Sequence, residues 1–524
     1  MSSYPSEIPV LIVGAGPTGL TAGLLLASYG IEALIVDRNA APMDIPRAIV
    51  LDDEGARTLQ VFGADRTYVA GTMVGDGAAY IDDAGALIAR VGAGPETFGF
   101  PKRHFINQPE METALRAHIV RTPGVSVAFS SEVIATDEGA EGITATIRDA
   151  DGAQHRVRAR YVIAADGGRS PIRERLGLTM QGSTYAQDWI VIDTLNDPDT
   201  SNYSRFFCSN QRPHVKVPAP HGGRRYEFML LPGETHDQVL QDAFIADLLA
   251  PFRAIEAKDI VRKTIYTFHA RIAERWRVGR ILLAGDAAHL TPPFAGQGMN
   301  AGLRDVANLS WKLACVLNGS AGDAALDSYE AERRDPAWAM IQLAVVMGDV
   351  VMPTDPAQLA FREQLLAALK PFPAVQDYFL QMKFKPRPRY DRGLFLGLAQ
   401  QPFEGSIVGE MIPQPDVTRD GAVHKLDDLL GVGFGLIAQD AAGAQALAGL
   451  DRAGYAGLPL ARVYLPYGAV SGAMPTATTD DPRARLFRAH RDQILLIRPD
   501  RYVAAAFAPE ALVQGLDAYS AAIS

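Results

Sequence analysis

A chain of 524 residues that is 48% hydrophobic is long enough for about three domains with sizeable cores. Its net charge of −10, with no long Lys/Arg run, argues against nucleic acid or an anionic membrane as a partner. The two cysteines, Cys208 and Cys315, cannot build a disulfide framework or a metal cluster, so a reducing cytoplasm is the expected setting.

Val10 to Val13 reads as a buried strand, Gly14-Ala15-Gly16-Pro17-Thr18-Gly19 as a turn opening an apolar helix to Tyr29, and Ala33 to Val36 as a second strand ending in Asp37-Arg38. This is a complete dinucleotide-binding βαβ unit. Gly14 permits the tight turn, Gly16 lets backbone amides approach a pyrophosphate, and Gly19 lets the helix pack closely on the strand. The helix N-terminus adds positive potential for phosphates. Asp37 can accept from ribose hydroxyls and would repel a 2′-phosphate, which suits FAD or NAD better than NADP. The stretch lacks a basic leader and is interrupted by glycines and Pro17, so neither a signal peptide nor a membrane span is expected there.

After Pro46 to Glu54 comes a helical pattern from Gly55 to Phe62 and a Gly-rich, hairpin-like region to about Phe100. Within it Val91-Gly92-Ala93-Gly94-Pro95 imitates the first motif. Thr97 replaces the last glycine, however, and Phe98-Gly99-Phe100-Pro101 cannot begin an apolar helix, so one dinucleotide fold is expected. Gln108 to Arg121 has helical periodicity. Val125 to Phe129, Val133 to Thr136, Ile143 to Arg148 and His155 to Arg158 read as short strands of a meander. Tyr161 to Ala165 is a buried strand that delivers Asp166 to its carboxyl end, where open α/β sheets bind ligands, and Pro171 suits a first helical position.

From Gln187 to Phe268 the pattern changes to alternating segments, Trp189 to Thr194, His214 to Pro218 and Tyr226 to Leu231, which predict a separate antiparallel sheet. Ile281 to Ala284 is a further buried strand leading to Asp286. Ala301 to Leu317 carries a helical stripe of Leu303, Val306, Leu309, Leu313 and Val316. A Pro-rich basic stretch from Lys383 to Arg392 marks a boundary, and Val432 to Ile437 and Ile494 to Ile497 bracket a final domain. His104 and His289 read as structural hydrogen-bonders. With no Cys/His/carboxylate cluster at ligand spacing, no metal is expected.

Three motifs in this order, Gly14 to Gly19, then Asp166-Gly167 with Ser170 and Arg173, then Gly285-Asp286 through Pro293 to Asn300, resemble the single-component FAD-dependent aromatic hydroxylases from about Val10 to Glu332. Pro46 to Glu54, Arg212-Pro213 and Arg224 to Glu234 are most similar to the subgroup that acts on 3-(3-hydroxyphenyl)propanoate. The C-terminal part resembles the thioredoxin-like domain of phenol and polyketide hydroxylases through Leu496 to Ala504, but it has no CxxC pair for disulfide exchange.

The resemblance implies an α/β chain with a Rossmann-like FAD-binding domain of glutathione-reductase type over 1–185 and 276–345. It also implies an inserted antiparallel-sheet substrate domain over 186–275, a helical linker region over 346–395 and a thioredoxin-like domain over 396–524. It assigns Gly14, Gly16, Gly19, Asp37 and Arg38 to the ADP half of FAD, Arg47 and Gln108 to ribose, pyrophosphate or ribityl groups, and the Val133 backbone to adenine. Asp166 would line the shared FAD and NAD(P)H groove. Asp286 would bind the ribityl chain, and Pro293 with the amides of Gly298, Met299 and Asn300 would meet the isoalloxazine.

The implied reaction uses NADH or NADPH and O2 to hydroxylate a substituted phenol ortho to its hydroxyl through a flavin C4a-hydroperoxide, in a dry cavity with a base near the phenol oxygen. Asp52 is the expected catalytic acid or base, against a plain reading as a solvated helix N-terminal carboxylate beside Asp53 and Glu54. Arg212, His214, Arg225 and Tyr226 are the expected substrate contacts. A substrate of 3-(3-hydroxyphenyl)propanoate type leads. A larger polyketide or polycyclic phenol, or an FAD dehydrogenase without oxygen insertion, stays open. The choice between NADH and NADPH and the oligomeric state, a homodimer included, are also left open.

Overall fold

The computed structural model describes residues 4–369, 371–372, 374–375, 387–399, 405–466 and 476–524. Of the expected basic boundary, 383–386 lie outside the described residues.

The first sheet is built on the βαβ unit. Strand Glu7–Val13 pairs in parallel with Ala33–Val36 on one side and Gln154–Ala164 on the other. Ala33–Val36 pairs with Val125–Ala128, and Gln154–Ala164 with Ile281–Leu283, again in parallel. Ala33–Val36, Ile281–Leu283 and the last four residues of Glu7–Val13 and of Gln154–Ala164 are wholly buried, as β-branched runs covered on both faces must be. Their carboxyl ends therefore collect Gly14, Asp37, Asp166 and Asp286 along one edge.

The meander differs in one respect from expectation. His155 to Arg158 and Tyr161 to Ala164 are a single strand, Gln154–Ala164, whose first half pairs antiparallel with Gly142–Arg148 and whose second half is parallel to Glu7–Val13. Alternation at its start and an apolar run at its end reflect one exposed face giving way to two buried ones.

Close packing of helices on this edge depends on small residues. A Cβ on Gly19 would overlap the Gly14 carbonyl, and Cβ atoms on Gly285 and Gly302 would run into the Thr18 side chain. Helix Pro17–Ser28 and helix Gly298–Leu317 can therefore lie together behind the turn.

The second sheet runs in the order His289–Leu290, Ile260–Ala273, Met180–Thr194, Gly223–Met229, His214–Ala219, Ser204–Phe207, Ala78–Ile81, Leu87–Val91. Two expectations are corrected here. The sheet is not purely antiparallel, because Ser204–Phe207 pairs in parallel with Ala78–Ile81. Nor is it drawn from 186–275 alone, because the hairpin Ala78–Ile81 and Leu87–Val91 forms its edge. The Val91 to Pro95 imitation of the first motif lies at the end of this hairpin and opens no helix.

A third, five-stranded mixed sheet, Gly454–Tyr455, Leu458–Tyr464, Phe434–Ala438, Ile494–Ile497 and Val503–Phe507, holds the C-terminal part. It docks on the far side of helix Gly298–Leu317, where Trp311, Ala314 and Cys315 share one core with Phe434, Leu436 and Tyr519. A fully buried ionic cluster sits in the joint. Glu332 accepts from Arg498 at 2.7 Å, from Asn308 at 2.6 Å and pairs with Lys312 at 2.9 Å. Helix Asp327–Val351 supplies Glu332 and runs past the expected boundary at 345.

Against the cost of burial, Arg498 and then Lys312 hold the Glu332 carboxyl below the usual carboxylate range. A carboxyl lowered on folding stabilises the native state above its unfolded pKa, and that contribution is lost as pH falls below about 4.5 toward the folded value. Glu332→Gln is expected to destabilise the chain by about 3 kcal/mol, because it strands the buried Lys312, whereas Arg498 keeps Asp500. Thermal melts from pH 7 down to pH 3.5 should show the wild-type advantage over the variant shrinking with acidification.

Among the described residues, no single helix is long and apolar enough to cross a membrane.

Candidate functional site

The edge that gathers the strand ends carries an elongated groove of two cavities. The first, about 160 Å³, is walled by Gly14, Gly16, Asp37, Arg38, Arg47, Val133 and Asp166. The second, about 260 Å³, is walled by Gln108, Asp286, Pro293, Gly298, Met299 and one face of the middle sheet. Gly16, Arg47, Ala165 and Gly167 belong to both walls.

Local chemistry explains this shape. Gly14 has φ +110°, and a Cβ there would overlap the Ala165 carbonyl, so only glycine turns the chain between the two strands. At Gly16 a Cβ would approach nothing nearer than the Arg47 guanidinium, at 3.9 Å, which leaves the helix entrance open to the groove. Asp37 is held by the Ala15 and Asn39 amides, each at 2.8 Å. Asp166 accepts from the Ile172 amide at 3.2 Å, at the start of helix Pro171–Arg175. The Val133 carbonyl accepts from Arg175 at 2.6 Å.

At the other end, helix Gly298–Leu317 begins without a side-chain cap, and Gly298 and Met299 stand in the wall of the second cavity. The first amides of a 20-residue helix thus carry positive potential into the groove. Taken together, a Gly-lined entrance, a fixed carboxylate at one end and an uncapped helix at the other fit the charge pattern of FAD.

Two expected cofactor residues have protein-facing side chains. Gln108 accepts from the Ala48 amide at 2.7 Å and donates to Glu112 at 2.7 Å, which fixes the loop carrying Arg47. Asn300 is fully buried, accepting from the Asp52 amide at 3.0 Å and donating to the Val50 and Gly296 carbonyls at 3.1 and 2.9 Å. It clamps the segment before Asp52 to the loop before the helix.

Asp52 is 2% exposed, so the solvated-carboxylate reading does not hold. It caps helix Asp53–Gln60 by accepting from the Gly55 amide at 2.9 Å, and it pairs with Arg304, which also binds Glu54 at 2.9 Å. The acids of Asp52, Asp53 and Glu54 lie within 4.8 Å of one another, and Arg304 offsets their repulsion. Asp52 also lines a third, larger cavity, about 980 Å³, which shares Val50, Arg103, Phe206, Phe294, Ala295 and Gln297 with the second.

Strand alternation divides the expected substrate residues. Val215, Val217, Arg225 and Glu227 face the second cavity, so residues one step along the same strands face away. His214 and Tyr226 lie in an aromatic layer with Phe228 and Phe252 on the opposite face. The Tyr226 hydroxyl donates to Asp197 at 2.7 Å. Arg212 donates to Glu234 at 2.9 Å and to the Met229 carbonyl at 3.0 Å. The expectation that Arg212, His214 and Tyr226 reach a ligand from this sheet is therefore corrected. Tyr226→Phe should cost about 1 kcal/mol of stability while leaving the KM for any phenol within about twofold, a split that melts and steady-state kinetics on one preparation would read.

Arg225 alone of the four faces the groove. It pairs with Asp193 at 2.7 Å and donates to the Arg47 carbonyl at 2.7 Å, tying the sheet to the cofactor-side loop. Register adds Arg262, which lies opposite Asp193 and donates to the Pro46 carbonyl. The sequence carries no expectation of a site role for Arg262, Glu227, Phe206 and Phe268, whereas Phe294 belongs to the loop expected beside the reaction centre. The alternation of Arg225 with Glu227 and of Val215 with Val217 was the available signal. Burial pushes the Glu227 carboxyl up, opposed by Arg225. Phe294 meets Phe268 and Trp189 edge-on at 5.4 and 5.8 Å, closing an apolar wall behind the loop.

Residues 7–344 match a family model described as FAD binding domain, and 409–522 match one described as HcaD C-terminal domain. A 3-(3-hydroxy-phenyl)propionate/3-hydroxycinnamic acid hydroxylase 2 of Burkholderia vietnamiensis is 38% identical over 509 residues, covering 95% of this chain and 93% of that protein. The corresponding hydroxylase of Mycolicibacterium smegmatis is 37% identical over 515 residues, 96% and 91% of the two chains. Among solved structures, the flavin-dependent monooxygenase PieE with FAD and substrate superposes with a TM-score of 0.81 at 21% identity, covering 99% of this chain and all of that one. Aklavinone-11 hydroxylase with FAD and aklavinone gives 0.78 at 23% identity, covering 99% of each.

Proposed function

From the premise that this chain belongs to the FAD binding domain family and is an enzyme of its aromatic hydroxylase group, we propose that it hydroxylates a small acidic phenol of the 3-(3-hydroxyphenyl)propanoate type, ortho to the hydroxyl, using NAD(P)H and O2. The observation that carries the reading is a pair of adjoining cavities with Phe206 and Phe294 in their common wall, the second meeting the uncapped helix Gly298–Leu317 and the third meeting Asp52. Bound FAD supplies the electron transfer and oxygen activation.

The chain's own groups do the rest. Gly14, Gly16, Gly19, Asp37, Arg38, Arg47 and Val133 would hold the ADP half, with Asp166 in the shared groove. Asp286, Pro293 and the amides of Gly298, Met299 and Asn300 would meet the ribityl and ring end. Positive potential at those amides favours negative charge on the reduced ring. A phenolate attacks an electrophilic oxygen far better than a phenol. Asp52, buried at the cavity wall, would take the phenolic proton while Arg304 holds the carboxylate in place. Phe206, Phe268 and Phe294 would exclude water from the reacting atoms.

The test is to purify the protein with its flavin, follow NADH and NADPH oxidation with and without 3-(3-hydroxyphenyl)propanoate, and quantify catechol product against peroxide. Stimulated oxidation with near-stoichiometric product is the expected result. Turnover without oxygen uptake would overturn the monooxygenase reading in favour of a dehydrogenase. The third cavity, about 980 Å³, favours a second reading in which a polycyclic phenol is the substrate, and a panel of such phenols belongs in the same assay.

A further inference from the structure

Resting on the reading of the substrate as an acidic phenol, we propose that Arg103, assisted by the Tyr80 hydroxyl, binds the carboxylate of the substrate and so fixes which end of the molecule faces the reacting centre. Arg103 stands in the wall common to the second and third cavities. Four of the other arginines around them are paired with carboxylates; Arg47, at the cofactor end, and Arg387 form no ion pair among the described residues. Arg225 pairs with Asp193, Arg90 with Asp76, Arg389 with Glu410 and Arg483 with Asp416. Arg103 donates to the Gly77 carbonyl at 2.8 Å, and among the described residues it forms no ion pair.

The guanidinium is held firmly. The Arg103 carbonyl accepts from the Gly75 amide at 2.9 Å, and the side-chain stem runs so close to Gly75 that a Cβ there would lie 3.1 Å from Cγ. The next two residues, His104 and Phe105, are buried in strand pairing with Val50–Leu51, the segment that leads to Asp52. Burial lowers the pKa of Arg103, opposed by the nearby Asp52 carboxylate. A half-buried cation with no ion pair of its own is costly, and an incoming anion lowers the cost.

Tyr80 supplies the second donor. It is 5% exposed, stacks on Phe206 at 4.8 Å, lines the third cavity and has a buried hydroxyl with no hydrogen-bond partner among the described residues. Burial raises its pKa, so the hydroxyl stays protonated and can donate. A carboxylate is the ligand group that accepts from a guanidinium and a hydroxyl together. With Asp52 elsewhere in the same wall, the cavity offers one site for an anion and another for a phenolic O–H.

The test compares 3-(3-hydroxyphenyl)propanoate with the neutral 3-(3-hydroxyphenyl)propan-1-ol by calorimetric binding to the FAD-loaded protein, with turnover measured alongside. Arg103→Met should weaken the acid about 50-fold and the alcohol less than about threefold, and Arg103→Lys should recover part of the loss. Tyr80→Phe should weaken the acid about fivefold. Equal loss for both ligands, or no loss for the acid, overturns the assignment. So does a wild-type protein that binds neither. If Arg103→Met does not load FAD, Arg103→Lys and Tyr80→Phe decide by the same acid-to-alcohol ratio. A wild-type protein that binds the acid through Arg103 yet forms no hydroxylated product would sink the hydroxylase reading and leave the anion site standing.

Discussion

Gly14→Ala is expected to yield protein without bound FAD. The backbone at this position has φ +110°, where an L side chain is strained, and the added Cβ would overlap the Ala165 carbonyl at the end of the neighbouring strand. Relief is possible only by moving the turn off the strand end, which displaces the Gly16 amide and the helix entrance together. The Gly14 amide also donates to the Val36 carbonyl at 2.8 Å, so the Asp37 end shifts with it. Flavin absorbance per protein should fall by at least about tenfold, and hydroxylase activity should fall with it. Gly30→Ala is the control. That glycine also has a positive φ, but a Cβ there meets nothing within 4 Å, so a small stability loss with full flavin content is expected. Equal flavin content in the two variants would refute the cradle argument.

Asp52→Asn is expected to lower the rate of hydroxylated product about a hundredfold while leaving flavin content unchanged. An amide keeps the oxygen that accepts from the Gly55 amide at 2.9 Å, so helix Asp53–Gln60 retains its cap. Arg304 keeps Glu54 as a partner, at 2.9 Å, so no cation is stranded. What the variant loses is the charge that accepts a proton at the cavity wall. NADH oxidation should continue in the presence of the phenol and end increasingly in peroxide. Raising the pH toward the phenol's own pKa should restore product, because the substrate then arrives as phenolate. Wild-type product rates in the variant at pH 7 would rule Asp52 out as the proton acceptor.

Much of this site can be read from the sequence, because its parts are local. A β-branched run, a glycine turn and an apolar helix specify Glu7–Val13 and Pro17–Ser28 whatever surrounds them, and helix Gln108–Arg121 starts and stops as its periodicity predicts. Since parallel strands point the same way, Asp37, Asp166 and Asp286 had to share the edge that carries Gly14 once each was recognised at a strand end. Tertiary structure alone decided which faces look into the cavity. An alternating strand states that neighbours point oppositely, but when both faces of the sheet are covered it does not state which face meets the ligand. Arg225 and Tyr226 are adjacent and equally buried in character, yet one holds the loop of Arg47 and the other bonds Asp197 on the far side. The partner of Asp52 was equally hidden, since Arg304 lies 252 residues away and only the packing of Gly298–Leu317 against Asp53–Gln60 brings them together. The hairpin Ala78–Val91 joined the middle sheet for the same reason: its own residues specify a pair of strands, and the edge that accepts them is set by the rest of the chain.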